Sequence, residues 1–328
     1  MNFIKQTFAC GERLKERRSV LQRKSQRGVL SIFRWVFLIA ASYVLLFPLF
    51  FMISSSLKSA SDFVDPTVAW VPKHIALDNY AKAVEALNLL PTLWNTLLYE
   101  LVSAGLEICS CAVAAYGLAR FRFPEKKFLN GVLVLSILVP VQMTIIPMVL
   151  NFNHLDFLGA LQLTGRLVGQ ELRPNVLDTP LAFYLPSVFA VGLRAGLMIF
   201  IYTQFFRGLP HELEEAAWID GAGPLRTFLR VIVPSSGVVI LTVSIFSIIW
   251  HWNDYFLAIM YTSRNRPISA ALSNIYSQLE VMGYNRYDHE ATAIAMTACL
   301  ITILPMLVMY LILQKKFIQS IDRVGIVG

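Results

Sequence analysis

One polar stretch interrupts an otherwise apolar chain. It reads Pro210-His-Glu-Leu-Glu-Glu-Ala-Ala-Trp-Ile-Asp-Gly221, after which Ala-Gly-Pro leads back to an apolar run ending at Val231-Ile-Val-Pro234. Its residue types suit docking rather than bond-making. Pro210 fits a first helical turn, where its missing N–H costs nothing. Glu212, Glu214 and Glu215 place negative charge near the positive end of the helix dipole. Leu213, Ala216 and Ala217 fall at i, i+3 and i+4 and form one small, smooth face. Gly221 extends that face and stops the helix, because glycine tolerates the left-handed conformation of a stop. The spacing predicts about three helical turns. Glu214, Glu215, Ala216, Ala217, Asp220 and Gly221 are its candidate docking residues. The alternative is an ordinary amphipathic loop between two apolar segments.

The remaining polar residues of interest sit inside or at the ends of apolar runs. A charge at the centre of a bilayer is costly and normally faces a bundle interior. Glu100 and Glu107 are seven apart, on one helical face. Glu107 reads as lining a solute path or gripping a neighbouring subunit, and Glu100 as snorkelling to the outer end. Arg194, between Gly192 and Gly196, is placed to pair with a carboxylate or to bind solute hydroxyls, and the Gly-x-x-x-Gly spacing suits close helix packing. Trp252, Asn253 and Asp254 combine a ring, an amide and a carboxylate, the set that a sugar's apolar face and hydroxyl rim require. An interfacial aromatic belt explains the same cluster.

Other chemistries find no residues. The chain has no Gly-x-x-x-x-Gly-Lys-Ser/Thr loop to cradle ATP phosphates. His74, His154, His211, His251 and His289 are scattered without metal-ligand spacing, and no nucleophile stands beside a base. No catalytic residue, metal or bound cofactor is therefore expected. Cys10, Cys109, Cys111 and Cys299 give no disulfide framework.

The elements that must carry these residues follow from composition. Of 328 residues 56% are hydrophobic, above the roughly 45–50% of soluble domains. The mean hydropathy is +0.59. The chain is therefore expected to be an all-α protein with six membrane spans, near 35–57, 93–119, 128–150, 181–206, 231–250 and 291–313. Residues 1–34 form a basic tail, 207–230 the docking loop and 314–328 a second tail. Pro140 and Pro147 should kink the third span. Distributing the loops alternately puts 19 Lys and Arg on one side and 9 on the other. The richer side is the cytoplasm, so both termini and the docking loop are expected there. A net charge of +7 then reflects lipid and topology rather than nucleic acid.

The spaced pattern Glu215-Ala216-Ala217, Gly221 and Val231-x-Val233-Pro234 resembles the Glu-Ala-Ala loop of ABC importer permeases, with Val at both the Ile and the Leu of the family pattern. From Trp35 onward the chain is similar to the carbohydrate-type members. Ser56-Leu-Lys58, Trp70-Val-Pro72, Asn79-Tyr80, Asn95-Thr-Leu97, Ala119-Arg-Phe-Arg-Phe-Pro124, Gln204-Phe-Phe206 and Trp252-Asn-Asp254 carry the likeness, with the ending from Gln314 to Gly328. Departures are added residues between about Gly159 and Asp178, and Ser320 and Val327 where Gly and Lys are common. The resemblance implies the type I permease fold in a prokaryotic cytoplasmic membrane. It implies a second permease subunit, a dimer of ATPase subunits holding ATP and Mg, and an extracytoplasmic solute-binding protein. It implies carbohydrate uptake without enzymatic activity in this chain, and places the docking loop against the ATPase. The same machinery for another solute class, or a secondary transporter or channel, stays open; the latter predicts transport without ATP.

Overall fold

The computed structural model describes residues 2–156 and 174–325, with side chains described at 28, 30–156 and 174–314. The added residues expected between about 159 and 178 lie mostly outside the described set, as does the end of the chain beyond 325. Among the described residues the fold is all-α. An isolated antiparallel bridge between Lys58 and Ile75 is its nearest approach to a sheet. The chain divides into two compact units, Met1–Ala76 and Leu77–Gly328.

In the first unit the backbone is helical from Asn2 to Ser56 (α1), so the expected basic tail continues directly into the first span. The apolar part, Leu30–Ser56, has a mean hydropathy of 2.5 and stays almost wholly exposed until its last three residues, Ser54, Ser55 and Ser56, which are buried. Its 27 residues cover ~40 Å, more than the ~30 Å hydrocarbon core of a bilayer, and its exposed Phe, Leu and Ile side chains suit lipid. A clasp follows α1 and the short helix α2 (Ala60–Val64). Buried Lys58 donates to the carbonyls of Val68 (3.3 Å) and Ala69 (2.9 Å), and the Ser54 hydroxyl donates to the Trp70 carbonyl. The Trp70 ring meets Phe47 edge-on at 5.2 Å. Two of the motifs picked out in the sequence, Ser56-Leu-Lys58 and Trp70-Val-Pro72, are thus the two sides of one closure.

The second unit begins with the amphipathic helix α3 (Asp78–Leu87). A long helix, α4 (Leu89–Arg120), follows and has the length and polarity of a span. Next come α5 (Lys126–Leu138) and α6 (Val141–Asn153), then α7 (Leu181–Val188) and α8 (Ala195–Gly208). The docking helix α9 (Glu212–Ile219) precedes α10 (Pro224–Ser235) and α11 (Gly237–Asn253). Short helices α12 (Phe256–Tyr261), α13 (Ile268–Ser273) and α14 (Ile275–Val281) lead to α15 (His289–Gly325).

Among the described residues, three helices are long and apolar enough to cross a membrane, or up to five segments if each bent pair is one span. The expected third span is broken rather than kinked. Pro140 pushes Val139 out of the helical region (ψ 119), and α5 and α6 meet at 100°. Pro147 stays inside α6. The expected fourth span is likewise two helices. Ala190 takes φ +55 and ends α7, with Val191 N–H on Pro186 O (2.9 Å) and Ala190 N–H on Ser187 O (3.3 Å), a Schellman stop. Arg194, also left-handed at φ +59, starts α8. A run of apolar residues had concealed both breaks. The fifth expected span is α11, bent by 82° from α10.

The core forms where α4 and α8 run together. Cys111, Ala115 and Tyr116 of α4 pack on Ala195, Met198, Tyr202 and Phe206 of α8, with Phe228 and Ile232 of α10 and Val239 and Val243 of α11 beneath. Lipid tails are as apolar as these side chains, so small residues and dispersion, not exclusion of water, favour this packing. A second cluster joins α3 to α13, α14 and α15. There the Lys82 ammonium binds Glu290, which raises its pKa despite partial burial.

Candidate functional site

The docking stretch folds as a shorter helix than its spacing suggests. Pro210 stands before the helix rather than in its first turn. His211 is the N-cap, and its carbonyl accepts the amides of Glu214 (3.0 Å) and Glu215 (3.1 Å). The stop is as expected. Gly221 has φ +76; its N–H binds Trp218 O (3.0 Å), and Ala222 N–H binds Ala217 O (2.9 Å), the two bonds of a Schellman motif.

The faces of α9 differ from the sequence expectation. Glu214 (1% exposed) and Ala217 (8%) turn inward, while Leu213, Glu215, Ala216, Asp220 and Gly221 are exposed. Ala216 and Ala217 therefore do not share one face. The outward surface also carries Ile219 (86% exposed) and, beyond the stop, Leu225, two apolar residues that the sequence reading passed over. Large apolar residues inside a polar loop were the available signal.

Glu214 faces inward because a cation is waiting there. Arg120, the last residue of α4, places Nε 3.5 Å from Glu214 Oε1, with both side chains nearly buried. Its guanidinium also donates to Leu209 O (2.7 Å) and reaches the His211 ring at 3.1 Å. His211 Nδ1 lies 3.6 Å from Glu214 Oε2. Helix α9 is thus held to the end of α4, while its other side stays exposed.

Further along α4, Glu107 is completely buried and contacts His251 of α11, with Nε2 3.2 Å from Oε2. His251 Nδ1 lies 2.9 Å from the Ser247 carbonyl, which can only accept, so Nδ1 carries a proton. The Nε2–Oε2 approach is an electrostatic contact without hydrogen-bond geometry, and neither Glu107 oxygen has a hydrogen-bond partner among the described residues. Gly192, in the break between α7 and α8, lets the chain approach this pair: a Cβ there would lie 2.8 Å from Glu107 Oε1. Ser110 donates to Ser187 O across the same junction (2.5 Å). Gly196 instead faces Ser136 of α5, so the two glycines serve different neighbours.

The other sequence candidates disperse. Arg194 is exposed, and its guanidinium lies 4.9 Å from the Trp250 ring centre. Trp252 is buried and donates from Nε1 to Thr302 O of α15 (3.3 Å), a packing role. Asn253 is exposed and donates back to Ile249 O (2.8 Å). Only Asp254 of that trio lines a cavity, where its Oδ1 accepts the amides of Phe256 and Leu257 (3.2 Å each) at the start of α12. Glu100, expected to snorkel, is instead buried in a π-helical turn, Leu97–Leu101, and lines the same cavity. His251 and Glu100 are the functional candidates that sequence reasoning missed or set aside. Neither carries a local motif; their partners lie on other helices. No group of three or more metal-ligating side chains forms among the described residues.

Residues 111–323 match a family described as "Binding-protein-dependent transport system inner membrane component". The diacetylchitobiose uptake system permease protein of Streptomyces coelicolor is 28% identical over 287 residues, which cover 87% of this chain and 85% of that protein. The trehalose transport system permease protein of Mycobacterium tuberculosis is 29% identical, covering 88% and 95%. A solved bacterial ABC transporter involved in import of the acidic polysaccharide alginate shares the fold, with a TM-score of 0.66 at 19% identity over 88% of this chain and 96% of that one.

Proposed function

Since the chain belongs to the family of binding-protein-dependent transport system inner membrane components, we propose that it is a permease subunit of an ATP-driven importer for a carbohydrate. Relatives named for diacetylchitobiose and trehalose uptake support the solute class. In this reading the subunit pairs with a second permease, takes solute from an extracytoplasmic binding protein and docks on a dimer of ATPase subunits. It lies in the cytoplasmic membrane with both termini inside, and ATP and Mg are held by the ATPase.

The observation that carries the reading is the two-sided docking helix. Glu215, Ala216, Asp220, Gly221 and Ile219 are free to enter a cleft in the ATPase, while Glu214 is tied to Arg120. Closure of the ATPase would move α9, and the buried ion pair would pass that movement to α4. Because α4 also holds Glu107 against His251, the displacement reaches the contact between α4 and α11. In this reading Asp254 lies along the candidate path with Glu107, Arg194 stands at its margin over Trp250, Trp252 packs against α15 and Asn253 is exposed.

Glu215→Lys reverses an outward charge, and Gly221→Leu places a branched side chain at φ +76, where only glycine is unstrained. Both should insert normally yet uncouple ATP hydrolysis from import. Normal transport and normal ATPase recovery in both variants would remove the coupling assignment.

A further inference from the structure

We propose that the cavity between α4, α6, α7 and the α11–α12 junction is a solute subsite built to accept hydroxyl donors, so that the solute is an uncharged polyhydroxylated sugar and not an anionic one. This rests on the carbohydrate reading above and adds the groups that meet the solute.

The cavity holds about 60 Å³ and is lined in part by Glu100, Ser103, Asp254, Phe183 and Tyr261. Glu100 and Ser103 are each 1% exposed. Glu100 Oε1, Ser103 Oγ and Asp254 Oδ2 are buried without a hydrogen-bond partner among the described residues. Buried acceptors are normally paired, since leaving one unmade forfeits its hydration. Three in one cavity call for donors from outside the chain.

The positions of these groups are set by the backbone. Asp254 has its other oxygen on two amides of α12, which fixes the direction of the carboxylate. Glu100 sits in the π turn of α4, a local widening that redirects a side chain and recurs at functional sites. Phe183 and Tyr261 meet edge-on at 5.4 Å and form the apolar wall beside these oxygens. Among the described residues no Lys or Arg lines the cavity. Arg194 lies over Trp250 instead. A phosphate or uronate would meet the carboxyl groups of Glu100 and Asp254 with no cation in the described lining, whereas a sugar hydroxyl can donate to either carboxyl oxygen and exchange a hydrogen bond with the Ser103 hydroxyl. The volume admits a hydroxymethyl arm rather than a hexose ring, so ring passage requires the walls to part around fixed acceptors.

The test is saturation-transfer NMR on the assembled importer containing this chain, reconstituted in nanodiscs, with trehalose and diacetylchitobiose as uncharged probes and glucose 6-phosphate and glucuronate as anionic ones. The uncharged probes should receive magnetisation and the anions none. Glu100→Gln and Ser103→Ala should each weaken binding about tenfold, the loss expected for one buried hydrogen bond. Ser103→Ala removes a single oxygen, so it reports even where Glu100→Gln fails to insert. Binding of the anions as well as the sugars, no binding of either sugar at millimolar concentration, or wild-type binding by well-inserted variants overturns the proposal. Unchanged carbohydrate uptake in cells lacking this gene would instead overturn the importer reading, and the binding experiment does not depend on it.

Discussion

At the scale of single residues, the pair Arg120–Glu214 shows how one charge of α9 is turned inward, away from the surface proposed for docking. Placing two ions at a nearly buried site costs desolvation that only their mutual attraction and extra hydrogen bonds offset. Arg120 supplies those bonds through Leu209 O and the His211 ring. Removing one partner leaves the other buried and unpaired, while removing both leaves a small gap. Arg120→Ala or Glu214→Ala alone should therefore lower stability by about 3 kcal/mol, and the double variant should recover part of that loss. Thermal unfolding in detergent, run as a double-mutant cycle, measures the coupling. Strictly additive losses would show that the 3.5 Å contact contributes nothing. Glu215, the next residue, has no such constraint and is exposed.

At the scale of elements, the breaks between helices are stabilised by connections rather than by the helices themselves. Asp178, itself left-handed at φ +60, ties the segment before α7 to the segment after α12. Its carboxylate accepts the amides of Ser263 and Arg264 and the Ser263 hydroxyl, and its own N–H binds Tyr261 O (2.8 Å). Partial burial raises its pKa, but the bonds from Ser263 and Arg264 outweigh this and leave it below the usual carboxylate value. A depressed folded pKa contributes stability that is present above the unfolded value of about 3.9 and lost as pH falls through the folded one. The tie should hold at neutral pH and loosen below about pH 4. Amide exchange at Ser263 and Arg264, corrected for intrinsic rates, should rise in acid in the wild type. In Asp178→Asn the acid-dependent rise should vanish, and its persistence would assign the effect to another group.

At the scale of the whole molecule, the decisive quantity is which ends of the helices meet the cytoplasm. The division of Lys and Arg into 19 and 9 motivates the expectation that both termini and α9 are inside. Reporter fusions after Ala222 and at the C-terminus should be active only with a cytoplasmic reporter, and a fusion near Asn175 only with an extracytoplasmic one. An external signal at Ala222 would overturn the topology together with the ATPase docking that depends on it.

The sequence by itself determined the features that depend on composition and near neighbours. Long apolar runs demand helices because a bilayer leaves no other partner for backbone polar groups. The Gly221 stop was legible because its geometry is local to one residue. The spaced Glu-Ala-Ala pattern made the family legible. What only the tertiary structure decided are the features fixed by residues far apart in the chain. The inward turn of Glu214 depends on Arg120, on another helix. Glu107 acquires its meaning from His251, and Glu100 from a cavity whose walls come from four parts of the chain. The breaks at Pro140 and Ala190 arise where backbone geometry overrides hydropathy, which averages over a window and cannot register a single residue leaving the helix.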